Sequence, residues 1–332
     1  MGRIVVMGAG SWGTALARIM ASKGNEVTLW DYNKERAELL QKNRVNEKFL
    51  SNAKFPETLK VTSEIEGLLD GVEYLIMSVP SQVLRGVIGK ISSQLTEKTI
   101  IVNTAKGIEI STGMRLSQVI KDEILGKFHK NIVILSGPTH AEEVAKNLPS
   151  TIVAAGESDS ARKIQELFNT ENFRVYESND IIGVELGGAV KNGIAIAAGV
   201  ADGIGFGDNT KAALITRGLA EMVRFGEALG AKAETFSGLS GMGDLIVTCA
   251  STHSRNRHVG QKLGEGKKLQ EILDEMEMVA EGVPTVKAVY ELAQKKKVSM
   301  PILEGVYKVL YEDKLATEMV KELMTRDLKR EF

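Results

Sequence analysis

The sequence predicts an α/β N-terminal domain with a Rossmann-type, doubly wound sheet, followed by an all-α C-terminal domain. Three observations predict this architecture. Short apolar strands alternate with helices through the first half of the chain. A glycine-rich turn follows the first strand, and the strand signal stops after residue 177. The length of 332 residues also favours two domains, which we place at residues 1–178 and 179–332.

The first domain is expected to contain a largely parallel sheet, because buried strands separated by helices need crossover connections. The candidate strands are Ile4–Met7, Val27–Trp30, Tyr74–Ser78, Ile100–Asn103, Val133–Leu135, Ile152–Ala155 and Phe173–Glu177. The candidate helices are Thr14–Ser22, Lys34–Asn43, Gln82–Ile91 and Leu116–Ile124.

The second domain carries helical periodicity that is interrupted by glycine, with no further strand signal. The candidate helices are Ile181–Ala201, Lys211–Leu229, Val259–Gly264, Leu269–Met276, Val286–Gln294 and Ala316–Met324.

The composition argues against several classes of protein. With 42 Lys and Arg against 43 Asp and Glu, the chain lacks the basic surface of a nucleic-acid binder. We find no apolar run of about 18–20 residues and expect no integral membrane protein. The N-terminus lacks a secretory signal pattern, and the single Cys249 cannot form an internal disulfide, so we expect a cytoplasmic protein. The four histidines form no H-E-x-x-H motif, and we expect no metal site.

Gly8, Gly10 and Gly13 form the pattern G-x-G-x-x-G between the first strand and the first helix. Gly8 permits a tight turn, Gly10 lets backbone N–H groups approach a pyrophosphate, and Gly13 allows close helix–strand packing. The N-terminus of the helix Thr14–Ser22 then offers donors and a positive dipole to phosphates. A turn that only connects two elements is the plainer alternative. The strand–turn–helix context favours a dinucleotide site, and hence NAD(H) or NADP(H) as cofactor.

Asp31 ends the second strand, where an acidic residue in this fold accepts the ribose hydroxyls of NAD. Its carboxylate would repel the 2′-phosphate of NADP, and no arginine stands at residues 31–33. We therefore expect NADH to be favoured, with Asp31 and Tyr32 at the adenosine end. Lys34 and Arg36 are near enough to weaken this preference, and Asp31 can also be read as a simple turn residue.

Three turns follow the carboxyl ends of predicted strands, where ligands bind in open α/β sheets. They comprise residues 78–82, residues 103–107 and residues 136–141. Lys106 in the second turn can meet an anion, although a solvated loop lysine is nearly as common. The third turn is rich in small residues that can lie against a nicotinamide.

Lys191 is the strongest candidate for a catalytic group. Its helical neighbours three and four positions away are Gly187, Gly188, Ile194 and Ala195, so it faces a small and apolar stripe. Such surroundings lower the pKa of a lysine, as proton exchange near neutral pH requires. The alternative is a lysine that extends from the edge of the helix into water.

Two polar segments can complete the site. Asp244 is the one acid in an otherwise uncharged segment, and it can orient Lys191 or cap a helix. Ser254 is expected to cap the helix that follows it, which leaves Arg255 for a two-pronged contact with phosphate. This arrangement favours a substrate that carries a phosphate group.

Together these segments resemble the bacterial NAD(P)-dependent glycerol-3-phosphate dehydrogenases. The resemblance covers nearly the whole chain, and its motifs occur in order. They are GAGSWGTALA at 8–17, NTAKGIE at 103–109, SGPTHAEEV at 136–144, ELGGAVKNGIAIAAG at 185–199, GFGDNTKAAL at 205–214, SGLSGMGDLIVTC at 237–249, STHSRNRHVG at 251–260 and VAEGVPT at 279–285.

The resemblance implies reversible reduction of dihydroxyacetone phosphate to sn-glycerol 3-phosphate, for glycerophospholipid synthesis, by a cytoplasmic homodimer. Lys191 would donate the proton in reduction and accept it in oxidation, with Asp244 and Lys106 beside it. The residues implied to bind substrate are Lys106, Gly137, Thr139, Lys191, Asn192, Asp244, Thr248, Ser254, Arg255 and Asn256. Those implied to bind the cofactor are Ser11, Trp12, Lys106, Ala141, Arg255, Val279 and Glu281. Members that favour NADP often carry a basic residue just after the second strand, where this chain has residues 31–33 as Asp-Tyr-Asn.

Two other interpretations compete with this one. A two-domain dehydrogenase acting on a hydroxy acid would also place a lysine in the helical domain, but it gives no reason for the polar segment at 251–257. A redox-sensing, dinucleotide-binding regulator would need a DNA-binding module or partner surface, and the sequence shows no basic recognition helix.

Overall fold

The first half of the chain folds around one eight-stranded sheet, in a computed structural model that describes residues 2–276, 278–328 and 330–331. The strands, including a separate short pair formed by β3 and β4, are β1 (Arg3–Met7), β2 (Glu26–Trp30), β3 (Val45–Asn46), β4 (Ser51–Lys54), β5 (Leu59–Thr62), β6 (Tyr74–Met77), β7 (Ile100–Asn103), β8 (Ile132–Ser136), β9 (Ser150–Ala155) and β10 (Phe173–Ser178). The helices of this half are α1 (Ser11–Ser22), α2 (Lys34–Asn43), α3 (Glu47–Leu50), α4 (Leu84–Ile91), α5 (Leu116–Glu123), α6 (Ala141–Ala145) and α7 (Ser158–Phe168).

The sheet order is β10-β9-β8-β7-β6-β1-β2-β5, and its neighbours pair in parallel except β8 with β9. This confirms the predicted doubly wound, largely parallel sheet. Strand β1 lies between β2 and β6, so the winding of the chain changes direction there. In open α/β sheets the crevice at such a switch point binds the ligand. The glycine turn that follows β1 therefore lies at the position that the fold favours for a nucleotide.

Several elements of this half were missed by the sequence analysis. Strand β5 adds an edge to the sheet, but its alternation of buried and half-exposed residues is too short to stand out. Helix α7 has a clear amphipathic face and was overlooked. The predicted helix Gln82–Ile91 begins with a 3₁₀ turn at Ser81–Val83, and its α-helical part starts at Leu84.

The second half is helical, as predicted. Its helices are α8 (Ile181–Ile204), α9 (Asp208–Ala228), α10 (Asp244–Ala250), α11 (Arg255–Gly264), α12 (Leu269–Glu275), α13 (Gly282–Lys296), α14 (Pro301–Tyr311) and α15 (Ala316–Met324). Helices α10 and α14 were not predicted. The first is short and follows a π-helical turn at Leu239–Gly243, and the second begins at a proline, which is favourable at the first helical position.

The chain divides into two units. Unit 1 comprises residues 1–109 and 114–185, and unit 2 comprises residues 110–113 and 186–332. The division falls inside α8, after Glu185, whose carboxylate accepts hydrogen bonds from the backbone and hydroxyl of Ser117 at 2.6 and 2.7 Å. These contacts attach the first turns of α8 to unit 1. The boundary expected after residue 178 stays a prediction.

Helix α8 is long and apolar enough by composition to cross a bilayer, which the search for an apolar run overlooked. In the structure 89% of its most apolar window is buried inside the protein, as in the core helix of a globular domain.

Glycines let α8 and α11 approach until their backbones touch. A Cβ atom at Gly199 or Gly203 of α8 would overlap the carbonyl oxygen of Arg257 or Gln261. In return, a Cβ at Gly260 of α11 would overlap the carbonyl oxygen of Ile196. Gly199 and Gly203 of α8 are four residues apart, as are Gly260 and Gly264 of α11, so each pair lies on one face of its helix.

We expect Gly260→Ala to lower the free energy of unfolding by about 3 kcal/mol or more, because the added methyl group meets backbone atoms that cannot turn aside. Gly86→Ala in α4 is the matched control, since its Cβ would enter open space. That helical substitution is expected to be neutral or to stabilise by about 0.5–1 kcal/mol. Urea unfolding compares them, and equal stability of the two variants would contradict the close contact.

Glu221 is a buried acid in α9 whose side chain reaches the N-terminus of α14. Its two carboxylate oxygens accept the backbone N–H groups of Ile302 and Leu303 at 2.7 and 3.2 Å, which satisfies the first turn of α14. Burial raises the pKa of Glu221 to about 7, although these two N–H groups and the charges of Arg224 and Arg326 act to lower it.

This pKa predicts a stability change with pH. Between about pH 4.5 and 7 the folded protein retains a proton on Glu221 that the unfolded chain has released, so stability falls as pH rises through this window. The loss should total about 3 kcal/mol. Glu221→Gln removes the titration, so the stability of the variant relative to wild type should rise by that amount between pH 4 and 8. A pH-independent difference would contradict the raised pKa.

Candidate active site

The glycine turn after β1 has the backbone geometry that its sequence predicts. Gly8 has φ +111°, which L side chains rarely adopt, and a Cβ there would lie 2.6 Å from the carbonyl oxygen of Ser78. A Cβ at Gly13 would overlap the carbonyl oxygen of Gly8, so the first turn of α1 packs directly on the preceding loop. Both positions require glycine for steric reasons alone.

Gly10 differs, because a Cβ at this position would meet no atom within 4 Å. It is the N-cap residue of α1, with Ser11 buried and Trp12 partly buried in the first turn. No protein atom fills the space beside Gly10, which lies at the N-terminus of a 12-residue helix. This space is where a pyrophosphate binds in a dinucleotide site. The residues present therefore fit a dinucleotide.

Asn46 stabilises this turn and was not identified from the sequence. Its buried side-chain amide donates to the carbonyl oxygen of Ala9 at 3.0 Å and to the Thr14 hydroxyl at 2.8 Å. The contacts join the loop to the first turn of α1. A single asparagine 32 residues from Thr14 gives no local sequence signal.

Asp31 lies at the end of β2, as predicted, but it is not an isolated charge. Its carboxyl group is 1% exposed, one oxygen accepts the backbone N–H of Asn33 at 2.9 Å, and the other forms an ion pair with Arg36. The expected repulsion of a 2′-phosphate was based on an unpaired carboxylate, and Arg36 neutralises much of that charge. The side chain of Tyr32 is 77% exposed.

Lys106 and the 136–141 turn come together at the carboxyl edge of the sheet in unit 1. The ammonium of Lys106 donates to the carbonyl oxygen of Gly137 at 3.1 Å, and the hydroxyl of Thr139 donates to the same oxygen at 3.3 Å. Ala141 is buried at the start of α6. The structure thus groups all four of these predicted residues, with an ammonium held beside a short polar turn.

Lys191 lies in unit 2 and is 5% exposed, so it does not extend into water. Its ammonium donates to the carboxylate of Asp244 at 2.7 Å and to the hydroxyl of Thr248 at 2.6 Å. That hydroxyl in turn donates to the backbone oxygen of Asp244 at 2.6 Å. Three side chains on α8 and α10 thus form one buried, hydrogen-bonded group, which the sequence analysis predicted for Lys191 and Asp244.

Asp244 does not cap α10, contrary to one of the two roles considered for it. It is the first residue of that helix, the N-cap is Gly243, and the Asp244 carboxylate, which is 2% exposed, is directed to Lys191. Its charge at the first turn is still favourable with respect to the helix dipole.

Glycines bring the Asp244 segment onto α8. A Cβ at Gly187, one turn before Lys191, would lie 2.6 Å from the carbonyl oxygen of Ser240. Gly241 has the same requirement, since its Cβ would overlap the carbonyl oxygen of Phe236. Small residues beside Lys191 therefore reflect backbone contact as much as an apolar environment.

The start of α11 is tied to α8 and α13 by side-chain amides. The Asn256 amide donates to the side-chain oxygen of Asn192 at 2.8 Å, and its own oxygen accepts the backbone N–H of Gly282 at 2.8 Å. Ser254 caps α11 as predicted, because its hydroxyl accepts the N–H of Arg257 at 3.2 Å. These contacts fix the first turn of α11 next to the residue that follows Lys191.

Arg255 is exposed at this helix start and donates to the carbonyl oxygen of Val279 at 2.7 Å. Val279 is itself exposed, and Glu281 is the N-cap residue of α13. Unit 2 therefore contains the site residues predicted within 191–192, 244–256 and 279–281. A guanidinium at the N-terminus of a ten-residue helix suits an anionic group.

Two other features bear on the chemistry. No group of three or more His, Cys, Asp or Glu side chains able to hold a metal occurs among the residues that the structure describes. Cys249, next to Thr248, is buried, and burial raises its pKa to about 12, so it remains a protonated thiol.

Comparisons with known proteins show the family of this chain. The family described as NAD-dependent glycerol-3-phosphate dehydrogenase matches with its N-terminal part over residues 3–162 and its C-terminal part over residues 180–321. A glycerol-3-phosphate dehydrogenase [NAD(P)+] from Geobacter sulfurreducens is 50% identical over 330 residues, covering 99% of this chain and 98% of the relative. One from Clostridium perfringens is 48% identical over 332 residues, covering 100% and 99%. A crystal structure of glycerol-3-phosphate dehydrogenase from Coxiella burnetii superimposes with a TM-score of 0.93 at 40% identity, covering 98% of this chain and 99% of the other.

Proposed function

The chain belongs to the NAD-dependent glycerol-3-phosphate dehydrogenase family, and from that premise we propose how its own residues carry the reaction. The enzyme interconverts dihydroxyacetone phosphate and sn-glycerol 3-phosphate with NAD(H) or NADP(H). The observation that carries the proposal is the buried group of Lys191, Asp244 and Thr248. It presents an ammonium in fixed orientation inside a matched family domain.

The nicotinamide cofactor supplies a hydride in reduction and accepts one in oxidation. In reduction the substrate carbonyl becomes an alkoxide, which needs a proton and a nearby positive charge. Lys191 gives that proton from its ammonium and takes it back in the reverse direction. Asp244 and Thr248 each accept one N–H of the ammonium, and these two hydrogen bonds orient it.

Asp244 has a second role in the proposal. An ammonium as buried as Lys191 would lose its proton readily if it stood alone, because burial disfavours the charged form. The carboxylate at 2.7 Å counteracts that effect and keeps the lysine able to act as an acid. Asp244 is thus a positioning residue, while Lys191 is the catalytic one.

The phosphate group is bound by the first turn of α11. Arg255 contributes the charge, and the N-terminus of α11 adds its dipole, with Ser254 and Asn256 fixing the turn. Phosphate lies away from the reacting carbon, so its binding energy serves to position that carbon. Lys106, with Gly137 and Thr139, provides a second positive charge in unit 1 for substrate or cofactor.

The glycine turn, Ser11 and Trp12 bind the dinucleotide, with Ala141, Val279 and Glu281 as further cofactor contacts. We also propose a homodimer in the cytoplasm that supplies glycerophospholipid synthesis. A hydroxy-acid dehydrogenase remains the competing function, and it would explain neither Arg255 nor the cap at Ser254.

The first test is oxidation of NADH and of NADPH by the purified protein with dihydroxyacetone phosphate. We expect turnover with both coenzymes, and activity only with hydroxy or keto acids would overturn the substrate. In Lys191→Ala the kcat should fall by about 10²–10⁴, because the proton donor is lost. NADH affinity, measured by fluorescence titration, should stay within about threefold, since the cofactor contacts are untouched.

The Lys191 test needs two further proteins. Lys308→Met is the matched control, because this lysine pairs with Glu304 on the surface of α14 and should keep wild-type kcat. Lys191→Met combined with Asp244→Asn avoids leaving a buried carboxylate unpaired, which is strongly destabilising. Near-wild-type kcat in this folded double variant would exclude Lys191 as the proton donor.

Arg255→Gln should raise the KM for dihydroxyacetone phosphate by about 10- to 100-fold, the effect of losing one or two charge-assisted hydrogen bonds. Unphosphorylated dihydroxyacetone should be affected far less by the same change. Lys262→Gln, at the other end of α11 and paired with Glu265, serves as the control. An unchanged KM for the phosphorylated substrate would remove Arg255 from the phosphate site.

A further inference from the structure

Arg36 lies beside the carboxylate that should select between the two coenzymes. It is in the first turn of α2, where its backbone N–H is held by the side chain of the N-cap residue Asn33 at 2.9 Å. Its guanidinium forms an ion pair with Asp31 through Nη2 and reaches the carbonyl oxygen of Ala9 in the glycine turn at 3.4 Å. The arginine thus connects the end of β2 with the loop that follows β1.

We propose that Arg36 is the specificity-determining residue that lets this dinucleotide site accept a 2′-phosphate in spite of Asp31. The proposal rests on the proposed function only in assuming that unit 1 binds a nicotinamide dinucleotide. In this role Arg36 neutralises Asp31 and also offers hydrogen-bond donors to the phosphate. Asp31 remains the acceptor for the ribose hydroxyls of NADH.

The donors of Arg36 are only partly used by the protein. A guanidinium carries five N–H groups in a planar fork, each of which can donate to a phosphate oxygen. Nη2 is engaged by Asp31 and Ala9, whereas Nε is buried and has no hydrogen-bond partner among the residues that the structure describes. A buried donor without a partner is unfavourable, and a phosphate oxygen would satisfy it.

The surroundings of Arg36 also favour an anion. The guanidinium lies over the ring of Phe49 with its carbon 5.1 Å from the ring centroid, and the Lys48 ammonium lies 5.6 Å from the same centroid. Two cations thus lie near one aromatic ring, whose quadrupole attracts both. The side chain of Arg36 keeps 28% of its surface exposed, so it borders solvent although its Nε is buried.

Asp31 can serve both coenzymes because a carboxylate offers about four acceptor sites. The N–H of Asn33 and the guanidinium of Arg36 occupy one each in the structure. A 2′-hydroxyl can therefore still donate to Asp31 when NADH binds. A 2′-phosphate cannot, and its binding depends on the positive charge beside it.

The test measures binding without any substrate, so that it is independent of the reaction assigned to the enzyme. Titrations of the full-length protein follow NADH and NADPH by fluorescence, and 2′,5′-ADP and 5′-ADP by calorimetry. We expect wild type to bind both members of each pair. In Arg36→Gln the affinity for NADPH and 2′,5′-ADP should fall by about 10- to 100-fold. The affinity for NADH and 5′-ADP should change by less than about threefold.

Two more proteins make the result decisive. Lys42→Gln, an exposed lysine in the last turn of the same helix, removes the same charge and should leave all four affinities unchanged. Arg36→Gln combined with Asp31→Asn keeps the pair uncharged if the single variant fails to fold, and it should still lose the preference for 2′-phosphate ligands. Equal losses for both members of each pair, or a wild type that does not bind 2′,5′-ADP, would overturn the role of Arg36. Absence of any dinucleotide binding to wild type would instead refute the proposed function itself, and with it the role of Arg36.

Discussion

The helical half of this protein depends on backbone contacts along helix α8 that only glycine allows. Gly187 receives the carbonyl oxygen of Ser240, and Gly199 and Gly203 receive those of α11. Lys191 lies on the same helix face, four residues after Gly187. The segment that carries Asp244 can therefore reach α8 closely enough to place its carboxylate on Lys191. The helix that begins at Arg255 is likewise held beside Asn192, the residue that follows Lys191. The 2.7 Å distance between the Lys191 ammonium and the Asp244 carboxylate thus depends on glycines such as Gly187, which let the two backbone segments touch.

The buried ion pair of Lys191 with Asp244 is not explained by a gain in folding stability. Removing two charges from water is expensive, and such pairs are often no more stabilising than packed apolar residues of similar size. Its retention is understandable if the protein needs an ammonium that stays charged in a dry site. The same unit buries Glu221 and Cys249, and burial raises the pKa of both towards their neutral forms. Lys191 differs from them because its ammonium is hydrogen-bonded directly to a carboxylate, whereas the hydrogen bonds of Glu221 come from backbone N–H groups.

The sequence was sufficient for the α/β class, the glycine turn and the cap at Ser254, because each depends on contacts within one element or on a periodic pattern. It also indicated Lys191 with Asp244, although they are 53 residues apart, because each is a charge in an otherwise uncharged or apolar segment. It failed for Asn46, whose side chain meets Ala9 and Thr14 from a distant part of the chain and gives no local signal. Arg36 was recognised as near Asp31, but the sequence could not show that the two form an ion pair at the start of α2. The α8–α11 contact did leave a trace, since the glycines at 199 and 203 and at 260 and 264 repeat at the same spacing. Helix α14 and strand β5 were missed because a proline start and a short edge strand are weak patterns.

The burial of Cys249 has a practical consequence for experiments on this enzyme. The chain contains one cysteine, and its thiol is buried with a pKa near 12. Thiol reagents react with the thiolate form and need access to it, so Cys249 is protected twice over in the folded protein. A single cysteine introduced at the surface would then be the sole reactive thiol, with the native residue left in place. Fluorophores or spin labels can thus be attached at chosen surface positions of the folded protein.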